Sequence, residues 1–171
     1  MSKKAIRVVD YDTAWADAFL HETQRLRGAL GESVLDVQPI GSTAVPGLAA
    51  KPVIDILLVV RSLAELDAKE PAMIALGYQP KGEYGIRGRR YYQLGGAART
   101  HQVHSFVRGD RNTQRHLAFR DYLRMNHGVA AEYAQIKRAA AEACNGDSEI
   151  YRRMKDEFIK AHERLALIGN D

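Results

Sequence analysis

Residues 40–56 read IGSTAVPGLAAKPVIDI, and they are the most informative segment of the chain. The end of this segment continues into VIDILLVV at residues 53–60, which is β-branched and apolar on both faces except at Asp55. Such a strand is typical of the centre of a sheet that helices cover on both sides. The sequence therefore predicts a central strand here. It also predicts a short preceding strand over residues 34–40 that ends at Gly41-Ser42.

Polar groups suited to an anion gather between these two strands. Backbone amides exposed at the turn, together with the hydroxyls of Ser42 and Thr43, suit a phosphate-sized anion. Lys51 precedes the central strand and supplies a positive charge, whereas Asp55 interrupts it where an unpaired carboxylate is costly. Each feature also has a purely structural interpretation. Gly-Ser is consistent with a plain turn, Lys51 with a solvated lysine and Asp55 with a structural hydrogen-bond acceptor. Together they predict a phosphate site that begins at Gly41.

The rest of the chain divides into a mixed part and a helical part. Apolar residues at helical spacing follow Asp12 and predict a first helix. A capping box at Ser62 predicts the start of another helix, which ends at Gly77. Residues 78–92 are predicted as strand–loop–strand and residues 101–107 as a further strand. After residue 110 the pattern is helical. We therefore predict one α+β domain over residues 1–171, with a small mixed sheet and packed helices in 1–110 and helices alone in 111–171.

Composition excludes several classes of protein. The 171 residues are 46% hydrophobic and 27% charged, which is typical of a soluble globular domain and not of a disordered, collagen-like or disulfide-stapled chain. Cys144 is the single cysteine, so no intrachain disulfide can form. The longest apolar run is too short to span a bilayer, and the N-terminus lacks the apolar core of a signal peptide. We expect a cytoplasmic protein with no membrane partner.

Positive charge is concentrated in residues 81–124, which hold ten basic residues against three acids in a chain of net charge +4. Arg87, Arg89 and Arg90 lie in a glycine-spaced loop, and guanidinium groups suit phosphate oxygens. The alternative is a solvated hairpin tip. Because these charges surround a predicted cleft, a small anionic ligand is favoured over RNA or DNA as the partner.

Three residues of the helical part are candidate neighbours of this cleft. Arg120 is interpreted either as a ligand-binding residue or as a structural ion pair. Lys137 is interpreted either as a residue that points into the same cleft or, in preference, as a surface lysine, and His116 as a surface or capping residue. The oligomeric state has no signal in the sequence.

Several segments resemble one known family. They are IGSTAVPGLAAKPVIDI at 40–56, YDTAW at 11–15, GEYGIRGRR at 82–90, RTHQVH at 99–104, LAFRDYLR at 117–124 and the predicted helix that carries Tyr133 and Lys137. This pattern is similar to that of GrpB proteins, and it covers nearly the whole chain. GrpB proteins are in turn similar to the nucleotidyltransferase superfamily that includes DNA polymerase beta. The resemblance therefore implies a nucleotidyltransferase-like fold.

The resemblance also implies a site. In that superfamily a Gly-Ser turn holds a nucleotide triphosphate, and three carboxylates on two neighbouring strands bind two divalent metals. Asp55 matches the second carboxylate, whereas Val53 stands at the first, and the third falls on the strand that carries Gln102 and His104. Mg²⁺ prefers oxygen ligands, so this donor set is poor for two magnesium ions. Asp55 with His104 would suit a softer ion, Mn²⁺ or Zn²⁺.

The expected function is binding of a nucleotide or another phosphate, with nucleotidyl or phosphoryl transfer to a small molecule if the protein is an enzyme. The expected ligand-binding residues are Gly41, Ser42, Thr43, Lys51, Arg87, Arg89, Arg90, Gln102 and Arg120. Asp55 would orient a metal or an acceptor hydroxyl, and His104 would transfer the proton.

Two other functions stay open. In one, the chain is a non-catalytic accessory domain that regulates a partner enzyme such as a dephospho-CoA kinase, because related domains occur fused to those kinases. In the other, the basic segment 81–124 binds RNA or DNA, and such binding would weaken steeply with salt.

Overall fold

Residues 3–169 are described by a computed structural model of the chain. The strands are β1 (Val34–Ile40), β2 (Ile54–Val60), β3 (Tyr78–Pro80), β4 (Arg90–Leu94) and β5 (His101–Val107). The α-helices are α1 (Ala14–Leu30), α2 (Leu63–Ala68), α3 (Glu70–Ala75), α4 (Arg111–Met125), α5 (His127–Ala143) and α6 (Ser148–Ile168). A mixed sheet followed by three consecutive helices confirms the predicted α+β class.

The strands form one sheet in the order β1-β2-β5-β4-β3. β2 and β5 are parallel, and the other neighbours are antiparallel. The predicted strands over residues 34–40 and 101–107 are confirmed. β2 lies inside the sheet between β1 and β5, in agreement with its apolar sequence.

The two faces of β2 belong to two separate hydrophobic clusters. Ile56 and Leu58 pack with Leu26 and Leu30 of α1. Leu57 is fully buried on the opposite face, beside Phe106 of β5 and Leu117 of α4. Because successive side chains on a strand alternate between faces, Asp55 shares the face of Leu57. The carboxylate therefore lies on the side of the sheet that the C-terminal helices cover.

Helix boundaries follow local chemistry. Asp12 Oδ1 accepts a hydrogen bond from the amide of Ala14 at 2.8 Å and so satisfies a free amide at the start of α1, as the sequence predicts. The single helix expected between Ser62 and Gly77 is divided into α2 and α3. Pro71 lies in the first turn of α3 and has no amide hydrogen to continue the ladder from α2, which explains the break.

Between residues 3 and 169, no helix combines the length and the apolar character that a membrane crossing requires.

Candidate phosphate-binding site

The Gly-Ser turn lies directly against the carboxylate of Asp55. β1 ends at Ile40, which pairs with Asp55 in the antiparallel register of β1 and β2. Gly41 then turns the chain with φ 72°, and a Cβ on it would lie 2.7 Å from Asp55 Oδ2. A side chain at this position would be strained and would collide with the carboxylate. Glycine is therefore required where the turn crosses β2.

Asp55 is held by two side chains of β5. The parallel register of β2 and β5 places Gln102 beside Asp55. One orientation of the Gln102 amide gives both its nitrogen and its oxygen a hydrogen-bond partner. In this orientation Nε2 donates to Asp55 Oδ1 at 2.8 Å, and Oε1 accepts from Arg99 Nη1 at 3.0 Å. His104 Nε2 lies 3.3 Å from the same Asp55 oxygen. One carboxylate oxygen is thus engaged within the sheet.

His104 is fixed on both ring nitrogens. Arg89 Nη1 lies 3.3 Å from His104 Nδ1, and because a guanidinium can only donate, Nδ1 accepts and Nε2 carries the proton toward Asp55. Arg89 is buried and also donates to the carbonyls of Glu83 and Tyr84, which closes the glycine-rich loop. His104 and Arg89 therefore lie behind Asp55, and proton transfer by His104 would require one of these contacts to open.

His116 packs on the same cluster. Its ring centroid is 5.4 Å from that of His104, and burial holds the pKa of His116 well below its usual value. The expectation of a surface or capping role for His116 is wrong, since the ring is covered by His104 and by Phe106, 6.1 Å away.

The turn and the carboxylate open onto a cavity of about 190 Å³. The residues predicted for the site that line it are Gly41, Ser42, Thr43, Lys51, Asp55 and Gln102. The side chains that close it from α5 and α6 are Tyr133, Lys137, Tyr151 and Lys155. A larger groove of about 540 Å³ runs between residues 45–48 and helices α4 and α5, but it holds none of the predicted site residues.

Each lysine of the cavity is stacked on a tyrosine ring. Lys137 is 2% exposed, donates to the carbonyl of Ala49 and lies 4.5 Å from the ring centroid of Tyr133. Lys155 and Lys51 share the ring of Tyr151, at 4.2 Å and 4.9 Å. Ring faces are electron-rich and partly replace the water that these ammonium groups lose.

The preferred interpretation of Lys137 as a surface lysine is therefore wrong, and the alternative position in the cleft is the one observed, because α5 turns this residue inward against the loop that precedes β2.

Burial makes these ammonium groups costly to charge. Burial lowers the pKa of Lys137 to about 7 and, with the nearby charge of Lys51, that of Lys155 to about 8. The pKa of Lys51 is lowered for the same reason, against the opposing pull of Asp55. Within residues 3–169, none of these three lysines forms an ion pair with a carboxylate. The cavity therefore holds more positive than negative charge, since Asp55 is its single carboxylate.

The remaining predicted arginines lie elsewhere. Arg90 points to the opposite face of β4 and forms a bidentate pair with Asp67 of α2, with N–O distances of 2.7 and 2.9 Å. Arg120 Nη1 donates to Gln38 Oε1 and to the carbonyl of Pro39, both at 3.0 Å, and braces the end of β1. Arg87 is exposed in its loop. The basic segment 81–124 is thus dispersed over several surfaces.

The lysines and tyrosines that were not among the predicted site residues share one spacing. Tyr133 precedes Lys137 by four residues on α5, and Tyr151 precedes Lys155 by four residues on α6. Side chains four apart on a helix lie on the same face, so each pair presents a ring and an ammonium group together. This repeated spacing was the available signal.

The donor set does not fit two magnesium ions. Asp55 is the carboxylate of the cavity, its Oδ1 accepts from Gln102 and His104, and Val53 stands where a second carboxylate would be required. Among residues 3–169, no three His, Cys, Asp or Glu side chains are grouped for a metal. A softer ion held by Asp55 and His104 stays a prediction.

Comparison with known proteins identifies relatives of this chain by sequence. The sequence profile of the family described as GrpB protein matches residues 5–164. The chain is 43% identical over 164 residues to the UPF0157 protein YqkA of Bacillus subtilis (strain 168), an alignment that covers 96% of the chain and 48% of YqkA. It is 28% identical over 191 residues to the dephospho-CoA kinase of Mycolicibacterium paratuberculosis, covering 97% of the chain and 47% of the kinase. The chain thus spans about half the length of both relatives.

Solved structures agree with the fold. The crystal structure of the conserved protein GrpB from Enterococcus faecalis superposes with a TM-score of 0.92 at 41% identity and covers 96% of this chain and 99% of that one. The Cid1 poly(U) polymerase with MgGTP bound superposes with a TM-score of 0.54 at 17% identity, covering 75% of this chain and 43% of that one. The second likeness shows a nucleotidyltransferase-like fold.

Proposed function

The chain belongs to the GrpB protein family, and we propose that it binds a nucleotide or another phosphorylated small molecule in the cavity between the Gly41 turn and helices α5 and α6. The observation that carries this proposal is the convergence of Lys51, Lys137 and Lys155 on a cavity with one carboxylate, Asp55, with which none of them forms an ion pair within residues 3–169. Three partly desolvated ammonium groups favour an anion, because its charge offsets their burial. The hydroxyls of Ser42 and Thr43 supply further donors to phosphate oxygens.

A thermal-shift panel tests the proposal. The ligands are ATP, GTP, CTP, UTP, pyrophosphate and dephospho-CoA, each measured with EDTA, Mg²⁺, Mn²⁺ and Zn²⁺. A ligand at a hundred times its dissociation constant stabilises the folded state by about 2.7 kcal/mol, which raises the midpoint of a chain of this size by several degrees. A shift with at least one phosphate ligand is expected. No shift with any of them would refute phosphate binding.

A matched pair of variants assigns the shift to the cavity. Lys51→Gln removes a charge that lines the cavity, whereas Lys160→Gln removes one that is 67% exposed on α6 and paired with Asp156. The shift should be lost or strongly reduced in the first variant and retained in the second. Equal behaviour of the two variants would place the ligand outside the cavity.

The enzymatic form of the proposal assigns the chemistry to Asp55, with His104 behind it. Asp55→Asn keeps the size of the side chain and a group that can meet Gln102, but it removes the negative charge. An enzyme should lose transfer to the acceptor and still show the phosphate-induced shift. Preserved turnover in this variant would remove Asp55 from the mechanism.

Likeness to a dephospho-CoA kinase supports a second candidate, regulation of such an enzyme. The test mixes the purified chain with the dephospho-CoA kinase of its own organism. A complex in sedimentation together with a changed kcat or KM supports regulation, whereas unchanged turnover at saturating chain refutes it.

A short RNA tests the third possibility. Its affinity should fall steeply with salt if phosphate backbone contacts dominate, and binding that is absent at low salt removes this function.

A further inference from the structure

Asp55 has one oxygen left to hold a metal. Its Oδ1 accepts from Gln102 and from His104, so Oδ2, on the side of the Gly41 turn, is the carboxylate oxygen that remains. Val53, which also lines the cavity, is apolar. A divalent cation that approaches a phosphate in this cavity would therefore meet few oxygen ligands from the protein.

Positively charged side chains of the protein already surround the cavity. Lys51, Lys137 and Lys155 line it, and near pH 7, where Lys137 is about half protonated, their combined positive charge still exceeds the charge of the single carboxylate. Arg99 adds to this field, since it binds the Gln102 amide next to Asp55 and its charge acts on Lys51. A divalent cation is repelled by such a set, whereas a multiply charged anion is attracted by it.

The size of the cavity limits what enters. At about 190 Å³ it is smaller than the roughly 300–1,000 Å³ that drug-sized ligands occupy. A phosphate chain fits such a volume, and a nucleoside attached to it would extend beyond the lining residues.

Resting on the proposed function, we propose that this cavity binds the free polyphosphate anion and not its magnesium complex, with Lys51, Lys137 and Lys155 neutralising the charge that a divalent metal neutralises elsewhere. The ligand class is a nucleoside di- or triphosphate recognised through its phosphate chain. Magnesium then competes with the protein for the same phosphate oxygens.

Calorimetric titration of the full chain with ATP and with inorganic tripolyphosphate tests this inference. One buffer holds excess EDTA and the other holds Mg²⁺ in large excess over the ligand, with NaCl added so that ionic strength is equal. Both ligands should bind at least about tenfold more weakly in the magnesium buffer, because magnesium removes the free anion that the cavity binds. Equal or tighter binding with magnesium would overturn the inference while leaving phosphate binding in place. Absence of binding in both buffers would instead refute the proposed function.

Variants connect the magnesium effect to the lysines. Lys155→Gln should lose most of its affinity for the free anion and show a smaller difference between the two buffers, and Lys160→Gln on the same helix should behave as the unmodified chain. If Lys155→Gln does not fold, as judged by circular dichroism, Lys51→Gln serves in its place. A folded cavity variant that retains the full affinity and the full magnesium difference would overturn the assignment to these lysines.

Discussion

Replacing Lys137 by methionine is expected to stabilise the protein and at the same time to weaken phosphate binding. Lys137 is 2% exposed, and its Nζ contacts the carbonyl of Ala49 and the ring of Tyr133. Methionine has a similar length and no charge, so the variant removes the cost of burying an ammonium group while it largely fills the same space.

The magnitude follows from the pKa. Burial lowers the pKa of Lys137 from 10.5 to about 7, and each unit corresponds to about 1.4 kcal/mol, so the charged lysine destabilises the fold by about 5 kcal/mol at pH 6. The variant leaves the Ala49 carbonyl without this donor, which costs about 1–3 kcal/mol. It also loses the ring contact, worth about 1 kcal/mol. We therefore expect a net gain of about 2 kcal/mol at pH 6.

The pH dependence has a defined sign. Between pH 7 and 10.5 the unfolded chain holds the Lys137 proton and the folded chain has released it, so the stability of the unmodified protein rises with pH in this window. Below pH 7 both states are protonated and the full penalty remains. The advantage of the methionine variant should thus shrink by about 2 kcal/mol between pH 7 and pH 9.

Urea unfolding of both proteins at pH 6, 7, 8 and 9 measures this difference. Lys160→Met is the control, because Lys160 is 67% exposed and its replacement should change stability by less than about 0.5 kcal/mol at every pH. A Lys137→Met variant that is less stable than the unmodified chain at pH 6, or whose advantage does not change with pH, refutes the argument from charge burial.

Two further predictions concern the turn and the loop. Gly41→Ala should destabilise the fold by roughly 3 kcal/mol or more, since it adds a collision with Asp55 to the cost of positive φ, whereas Gly47→Ala, also at positive φ but with open space, should cost only about 1–2 kcal/mol. Equal losses in urea unfolding would contradict the close approach. Arg90→Met should cost less than about 1 kcal/mol and leave phosphate affinity unchanged, because Arg90 pairs with Asp67 of α2 on the face of the sheet away from the cavity. A lower affinity for phosphate ligands in calorimetry would show that Arg90 contributes to the binding site.

The sheet was predictable because its signals are local. The apolar run of β2 and the glycine that ends β1 lie within one short segment, and the register of β1 and β2 brings Ile40 opposite Asp55. The division between α2 and α3 was not predicted, because the capping box at Ser62 and the terminal Gly77 indicate one helix, whereas the missing amide hydrogen of Pro71 divides it.

The site was only half predictable, since its second wall comes from distant helices. Lys137 was assigned to the surface because lysines seldom lie inside proteins, and its burial depends on how α5 packs against the loop at Ala49. Arg90 resembled a ligand-binding residue because its loop is basic. Its partner Asp67 belongs to α2, and no local pattern indicates that contact.

The ring of Tyr151 lies between Lys51, from the loop before β2, and Lys155, from α6. An anion held by both lysines would thus act as a non-covalent staple between the sheet and the C-terminal helices. Occupancy should slow amide hydrogen exchange along α5 and α6, far beyond the residues that touch the anion, because opening of these helices would first require its release. Exchange protection would then report ligand binding even in a protein that transfers no group.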